Sequence, residues 1–141
     1  MIEGKWFPQG AELTEPMMIR AAVFGRGRDA LDDMAQQVVV YREGTPVGAA
    51  RLWWEDGAFR LGDVGVLPDE RGKGYGDLLV RLLLFKALSH NADTIALICG
   101  RDAKAFFARY GFTTESEGEP VCMRIRGAQV QLDHCKHCGN A

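Results

Sequence analysis

The stretch Val64-Gly65-Val66-Leu67-Pro68-Asp69-Glu70-Arg71-Gly72-Lys73-Gly74-Tyr75-Gly76, followed by an apolar run to about His90, decides how this 141-residue chain is read. The hydrophobic period changes across it, from alternation before Leu67 to near-continuous apolar positions (Leu78, Leu79, Val80, Leu82, Leu83, Leu84, Phe85) after Gly76. That is a strand, a glycine loop and a buried helix. Residues without side chains let the backbone approach a ligand, and successive N–H groups at a helix start form a positive concavity. With the helix dipole added, the loop suits a phosphate or pyrophosphate, and Arg71 and Lys73 can add charge-assisted bonds.

Two familiar phosphate loops fail here. A P-loop needs G-x-x-x-x-G-K-[ST], and no such Lys-Ser or Lys-Thr pair follows. The dinucleotide fingerprint needs G-x-G-x-x-G after the first strand of a parallel unit, whereas Gly72-Lys73-Gly74-Tyr75-Gly76 is G-x-G-x-G and lies late in the chain. A third pattern, R/Q-x-x-G-x-G/A, is met at every fixed position by Arg71 to Gly76.

Working outward, three strands precede the loop: one at Val38–Tyr41, one at Val47–Trp54 and one at Phe59–Leu67. Short turns at Glu43-Gly44-Thr45-Pro46 and Glu55-Asp56-Gly57 make them an antiparallel meander. Before them, Met1 to about Glu12 reads as a short strand or arm. Pro16 to Phe24 reads as a helix with Pro16 in its first turn, and Asp29–Met34 as a short helical piece. After the long helix, Thr94–Cys99 is an interior strand expected to run parallel to the strand before the loop. Ala103, Phe106, Phe107 and Tyr110 then mark one face of a helix stopped by Gly111, and Phe112–Thr114 and Val121–Ile125 are two last strands. The expected fold is α/β: a mixed, mostly antiparallel central sheet flanked by helices. It spans residues 1–126, with 127–141 as a C-terminal tail.

Composition narrows the function classes. With 17 Lys+Arg against 19 Asp+Glu the net charge is −2, and 47% hydrophobic with 26% charged residues is the balance of a globular domain. Neither a nucleic-acid nor a membrane partner is expected: polyanion binders usually carry pI above about 9, and no apolar run approaches the roughly 20 residues of a membrane span. The start, Met1 to Trp6, lacks the charged-then-apolar order of a signal peptide, and the four cysteines are read as thiols in a reducing cytoplasm.

At Arg71-Gly72-Lys73-Gly74-Tyr75-Gly76 the sequence resembles the GNAT superfamily of N-acetyltransferases. Ala103-x-x-Phe106-Phe107-x-x-x-Gly111-Phe112 is similar to that family's A-x-x-F-Y-x-x-x-G-F helix. The resemblance covers about residues 17–126, in the family's order of elements. It implies acetyl-coenzyme A as cosubstrate and direct transfer of its acetyl group to a primary amine, on a small molecule or a protein. It further implies that backbone amides of Arg71, Gly72, Lys73, Gly74, Tyr75 and Gly76 hold the pyrophosphate. Val64, Gly65 and Val66 would pair with the pantetheine where their strand and Thr94–Cys99 splay apart. The N–H of Val66 would serve as oxyanion donor. A homodimer is also compatible, since family members often pair.

Two positions depart from the pattern. Where the family often has a Tyr to protonate the departing thiolate, this chain has Phe107, which lies against the cofactor in the family pattern but has no proton to give. Tyr110 is the substitute acid candidate, with packing beside Phe106 and Phe107 as its other reading. Gly100 stands where many members have Asn. Asp63 is the base candidate nearest in sequence, although strand alternation sets it opposite Val64 and Val66 unless a bulge intervenes. Glu55 and Asp56 are turn carboxylates that can line an acceptor cleft, and water acting on a low-pKa amine is a further route. Trp53 and Trp54 point to opposite faces, and Cys99 is read as a buried thiol.

The tail carries His134-Cys135-Lys136-His137-Cys138, whose Cys-x-x-Cys spacing is half a zinc knuckle; zinc there competes with a mobile tail and with redox chemistry. The function classes set against catalysis are a non-catalytic acyl-coenzyme A binder, which Phe107 makes plausible, and a metal-responsive sensor built on the tail.

Overall fold

The computed structural model describes residues 1–132. Seven strands form one sheet: β1 (Ile2–Phe7), β2 (Gln36–Arg42), β3 (Thr45–Glu55), β4 (Ala58–Val66), β5 (Thr94–Cys99), β6 (Thr113–Ser116) and β7 (Val121–Arg126). Their order is β1-β2-β3-β4-β5-β7-β6, antiparallel throughout except for the parallel pair β4–β5. Three α-helices cover it: α1 (Thr14–Phe24), α2 (Tyr75–Ser89) and α3 (Lys104–Ala108). This is the mixed, mostly antiparallel sheet with flanking helices that the period changes imply. The β4-loop-α2-β5 segment is the crossover that makes the one parallel pair.

Both faces of the sheet are buried, which is why Val38-Val39-Val40-Tyr41 reads as an unbroken apolar run rather than an alternating one. Val38 and Val40 join Leu52, Leu61, Leu79, Leu83 and Ile95 on the face covered by α2 and α3. Val39 and Tyr41 pack with Ile19, Leu13 and Ala49 on the face under α1. Helix α1 begins two residues before Pro16, leaving the proline in the first turn where its missing N–H costs nothing.

The short helical piece at Asp29–Met34 is a 3₁₀ turn, Ala30–Asp33, closed by a capping box between Asp29 and Asp32. The Phe106/Phe107 helix is split into a 3₁₀ turn, Arg101–Ala103, and the five residues of α3.

Past Arg126 the chain does not leave the domain at once. Gly127–Gln129 form a 3₁₀ turn, the Gln131 N–H donates to the Tyr110 carbonyl at 2.9 Å, and Val130 and Leu132 pack on the core. The His-Cys segment from His134 lies outside the described residues.

Two features position the site. Strands β4 and β5 are paired over only three residues each, Phe59–Leu61 with Ile95–Leu97, and part beyond them. Within β4, Ala50 of β3 faces both Asp63 and Val64, because Arg51 pairs with Gly62 and Ala49 with Gly65. That extra residue is a β-bulge, and Asp63 takes a positive φ of 51° to make it.

Candidate active site

A cleft of about 700 Å³ opens where β4 and β5 part, walled by the end of β4, the glycine loop, the start of α2, Phe106 of α3 and Arg109 just after it. Val64, Gly65, Val66, Arg71, Gly72, Gly74, Tyr75 and Gly76 all line it, eight of the ten residues that the resemblance assigns to the cosubstrate.

The loop's conformation explains its glycines. Gly74 has φ of 88°, a region costly for any residue with a Cβ, and a Cβ placed there would meet only open space. The Gly74 carbonyl accepts from the Leu78 N–H at 3.0 Å, which starts α2 and leaves the first-turn N–H groups at the cleft.

The backbone of Val66 points into the parting of the strands. The Leu67 N–H donates to the Val47 carbonyl at 2.9 Å, so Leu67 and Val47 form the hydrogen-bonded pair and Val66, opposite Gly48, turns its N–H and carbonyl away from β3. Arg71 Nε donates to that Val66 carbonyl at 2.9 Å. Gly65 is needed for another reason. A Cβ there would lie 2.9 Å from Phe24 and 3.0 Å from Val23, so the end of α1 sits directly on β4 beside Val66.

Three sequence expectations are displaced. Lys73 does not line the cleft; its ammonium pairs with Glu70 at 3.1 Å. Hydrogen bonds from Arg42, then from Lys73, pull the Glu70 carboxyl down to about 2. Phe107 is buried in the core, edge-on to Phe112, and Phe106 is the ring that faces the cleft, with its Cζ 3.7 Å from where a Gly76 Cβ would stand. Tyr110 is fully buried, and its hydroxyl donates to Asp77. Burial, then the Asp77 hydrogen bond, pushes the Tyr110 phenol well above its ordinary range.

Asp63 faces α1 rather than the cleft. Its Oδ1 takes Arg26 at 2.5 Å, and its Oδ2 lies 3.1 Å from Arg51 and 3.4 Å from Arg20. Behind it Arg20 forks onto Asp32 at 2.7 and 2.9 Å, and Arg51 reaches Asp29 and Asp32 at 2.6 and 3.1 Å. Gln37 closes the cluster on Asp32 at 2.8 Å. Despite the desolvation that opposes it, the Arg20 hydrogen bonds and the Asp29 N–H hold the Asp32 carboxyl far below the carboxylate range. The cluster ties α1, the 3₁₀ turn and three strands together beneath the bulge. Its members are far apart in sequence and show no period, so no local signal announces it.

Asp77 and Arg109 are cleft residues that the motif reading passed over. Asp77 accepts from Tyr110 and from Arg81 Nε at 2.9 Å, and Arg81 in turn donates to the Leu132 carbonyl at 2.5 Å. Despite burial, which opposes it, these bonds lower the Asp77 carboxyl. Their signal was present in the helical spacing: Asp77 opens α2 one turn before Arg81. Among the described residues no cluster of three or more His, Cys, Asp or Glu is arranged to hold a metal, and no helix is long and apolar enough to cross a membrane.

Residues 5–112 match the model of the acetyltransferase (GNAT) family. The uncharacterized N-acetyltransferase YjcF of Bacillus subtilis (strain 168) is 31% identical over 105 residues, covering 74% of this chain and 75% of that protein. The crystal structure of an acyl-CoA N-acyltransferase from Pseudomonas aeruginosa superposes with a TM-score of 0.78 at 21% identity, over 88% of this chain and 99% of the other. The PaiA N-acetyltransferase of Thermoplasma acidophilum, solved in complex with coenzyme A, superposes with a TM-score of 0.71 at 13% identity, over 89% and 99%. These two likenesses show a shared fold.

Proposed function

The chain belongs to the GNAT acetyltransferase family and is an acyl-CoA-dependent acetyltransferase, and from that premise we propose that it moves an acetyl group from acetyl-coenzyme A directly to a primary amine. The amine is carried by a small molecule or is an exposed amine of a protein. The observation that carries this reading is the cleft itself: a glycine loop at a helix start, continuous with a strand edge whose Val66 backbone is turned into the gap.

The residues present fit such a cosubstrate. The open, Cβ-free surface at Gly72 and Gly74 leaves room for a pyrophosphate against the first-turn amides of α2. The β4 edge from Val64 to Val66 offers an amide-rich pantetheine arm the hydrogen bonds that β5 no longer takes. Acetyl-coenzyme A supplies the acetyl group already activated as a thioester.

In this reading the Val66 N–H donates to the thioester carbonyl oxygen as negative charge develops there. Arg71 holds the Val66 carbonyl and so fixes the peptide that follows it. The cleft walls set the amine against the carbonyl carbon, replacing a chance encounter by a bound approach. The new C–N bond forms as the C–S bond breaks, and the amine's surplus proton passes to water. Asp63 is not given that proton, because both its oxygens face arginines. Neither position of the family's acid is given the thiolate's proton: Phe107 has no hydroxyl, and that of Tyr110 is committed to Asp77. The thiolate takes its proton from solvent.

The test is thiol release by the purified protein with acetyl-coenzyme A and a panel of primary amines. Amine-dependent release supports the proposal. Binding of the cosubstrate without release for any amine would return the non-catalytic binder.

A further inference from the structure

An anionic cosubstrate must be met by positive charge that is not already spent, and the cleft is poor in it. Its lining holds the carboxylates Glu70, Asp77 and Asp102 against the guanidinium groups of Arg71 and Arg109. Glu70 is neutralised from outside by Arg42 and Lys73, and Asp77 by Arg81 and the Tyr110 hydroxyl. Arg71 is engaged through Nε with the Val66 carbonyl.

Arg109 is different. Its ion-pair contact among the described residues, to Asp77 Oδ1, is 3.7 Å, beyond hydrogen-bond length. The guanidinium is held in place by rings, its central carbon lying 5.3 Å from the Phe106 centroid and 5.8 Å from that of Tyr110. It is about one-third exposed, lines the cleft, and lies beside the first turn of α2, where the glycine loop ends. These ring contacts restrain the guanidinium without using its N–H groups, the donors with which arginine recognises phosphate.

We propose that Arg109 is a second phosphate-binding group of this cleft, reaching a phosphate of coenzyme A from beside the first turn of α2. The inference rests on the cosubstrate reading above. It gives the segment after α3 a binding role that the motif does not: Phe106 and Tyr110 orient the arginine, and Asp77, satisfied by Arg81 and Tyr110, does not capture it.

The experiment is calorimetric titration of wild type, Arg109→Gln and Arg109→Met with coenzyme A and with dephospho-coenzyme A, which lacks the 3′-phosphate. Loss of one charge-assisted contact should weaken coenzyme A binding roughly 10- to 100-fold in both variants. The thermal midpoint of the free protein should stay where it is. Arg109→Met keeps an unbranched side chain able to pack on the rings without the charge, and carries the test if the glutamine variant fails to fold. Equal weakening for both ligands assigns Arg109 to the pyrophosphate; weakening confined to coenzyme A assigns it to the 3′-phosphate; either supports the proposal. Variants that bind both ligands as the wild type does would overturn it while leaving the cosubstrate reading intact. A wild type that binds neither ligand would overturn both.

Discussion

The hydroxyl of Tyr110 donates a hydrogen bond to the carboxylate of Asp77, joining the turn after α3 to the first turn of α2 at the edge of the cleft. The bond explains why a fully buried phenol is tolerated there: its one donor is satisfied by an ion. It also makes Tyr110 a poor acid, since releasing the proton would set two negative charges side by side. Tyr110→Phe should therefore leave turnover per folded molecule within a few-fold and its pH profile unmoved. It should cost about 1.5–3 kcal/mol in urea unfolding, the range for a hydrogen bond to a charged group. A hundredfold fall in turnover at intact stability would make Tyr110 the acid after all.

Gly74 separates conformation from charge. Its φ of 88° means that Gly74→Ala should lower stability by about 1–2 kcal/mol through backbone strain, with no clash to add. Gly74→Glu carries the same strain and also sets a carboxylate where the pyrophosphate is proposed to sit. Its binding of acetyl-coenzyme A should vanish from calorimetry while the alanine variant still binds. Unchanged affinity in the glutamate variant would remove the loop from the cosubstrate site.

What could be read from the chain was what is local. Thr94–Cys99 is the strand its β-branched run describes, and the meander follows its two turns, because period and turn chemistry are properties of neighbouring residues. The glycine loop was legible for the same reason. The motif sets Phe107 rather than Phe106 against the cofactor, but both lie on the apolar arc of a short helix, and only packing against Phe112 and Gly76 decides which ring turns inward. The bulge at Asp63 needs the register of β3 and β4, and the arginine cluster needs α1, the 3₁₀ turn and β2–β4 at once. Lys73 was drawn to a phosphate by its motif, but Glu70, three residues away, holds it instead.

Asp32 is the centre of that cluster, with a side chain that has no exposure and takes bonds from Arg20, Arg51, Gln37 and the Asp29 N–H. Asp32→Ala leaves two buried guanidinium groups short of a partner and should destabilise the fold by about 3–5 kcal/mol in urea unfolding. The sign of the pH dependence follows from a folded-state value depressed below the ordinary one near 3.8. Its contribution is complete above that value and is lost as pH falls below it toward the folded one. Wild-type stability should fall steeply below about pH 4, and the alanine variant should fall less steeply over the same interval.

Asp63 tests whether the arginine cage or the base reading describes the bulge. A general base must reach the amine's proton with a free lone pair, and contributes about 10²–10⁴-fold to the rate. Asp63 instead gives Oδ1 to Arg26, its Oδ2 is buried at ion-pair distance from Arg20 and Arg51, and Val23 and Phe24 of α1 cover Gly65 two residues on. Asp63→Asn should keep kcat/KM within about tenfold and keep its acid limb, because the group titrating in that limb is the amine itself. It should lower stability by about 1–3 kcal/mol, since two nearly buried guanidinium groups each lose an ionic partner. Loss of the acid limb together with a hundredfold fall in kcat/KM, at unchanged stability, would instead place the proton on Asp63 and require Arg26 to swing away from it when the acceptor binds.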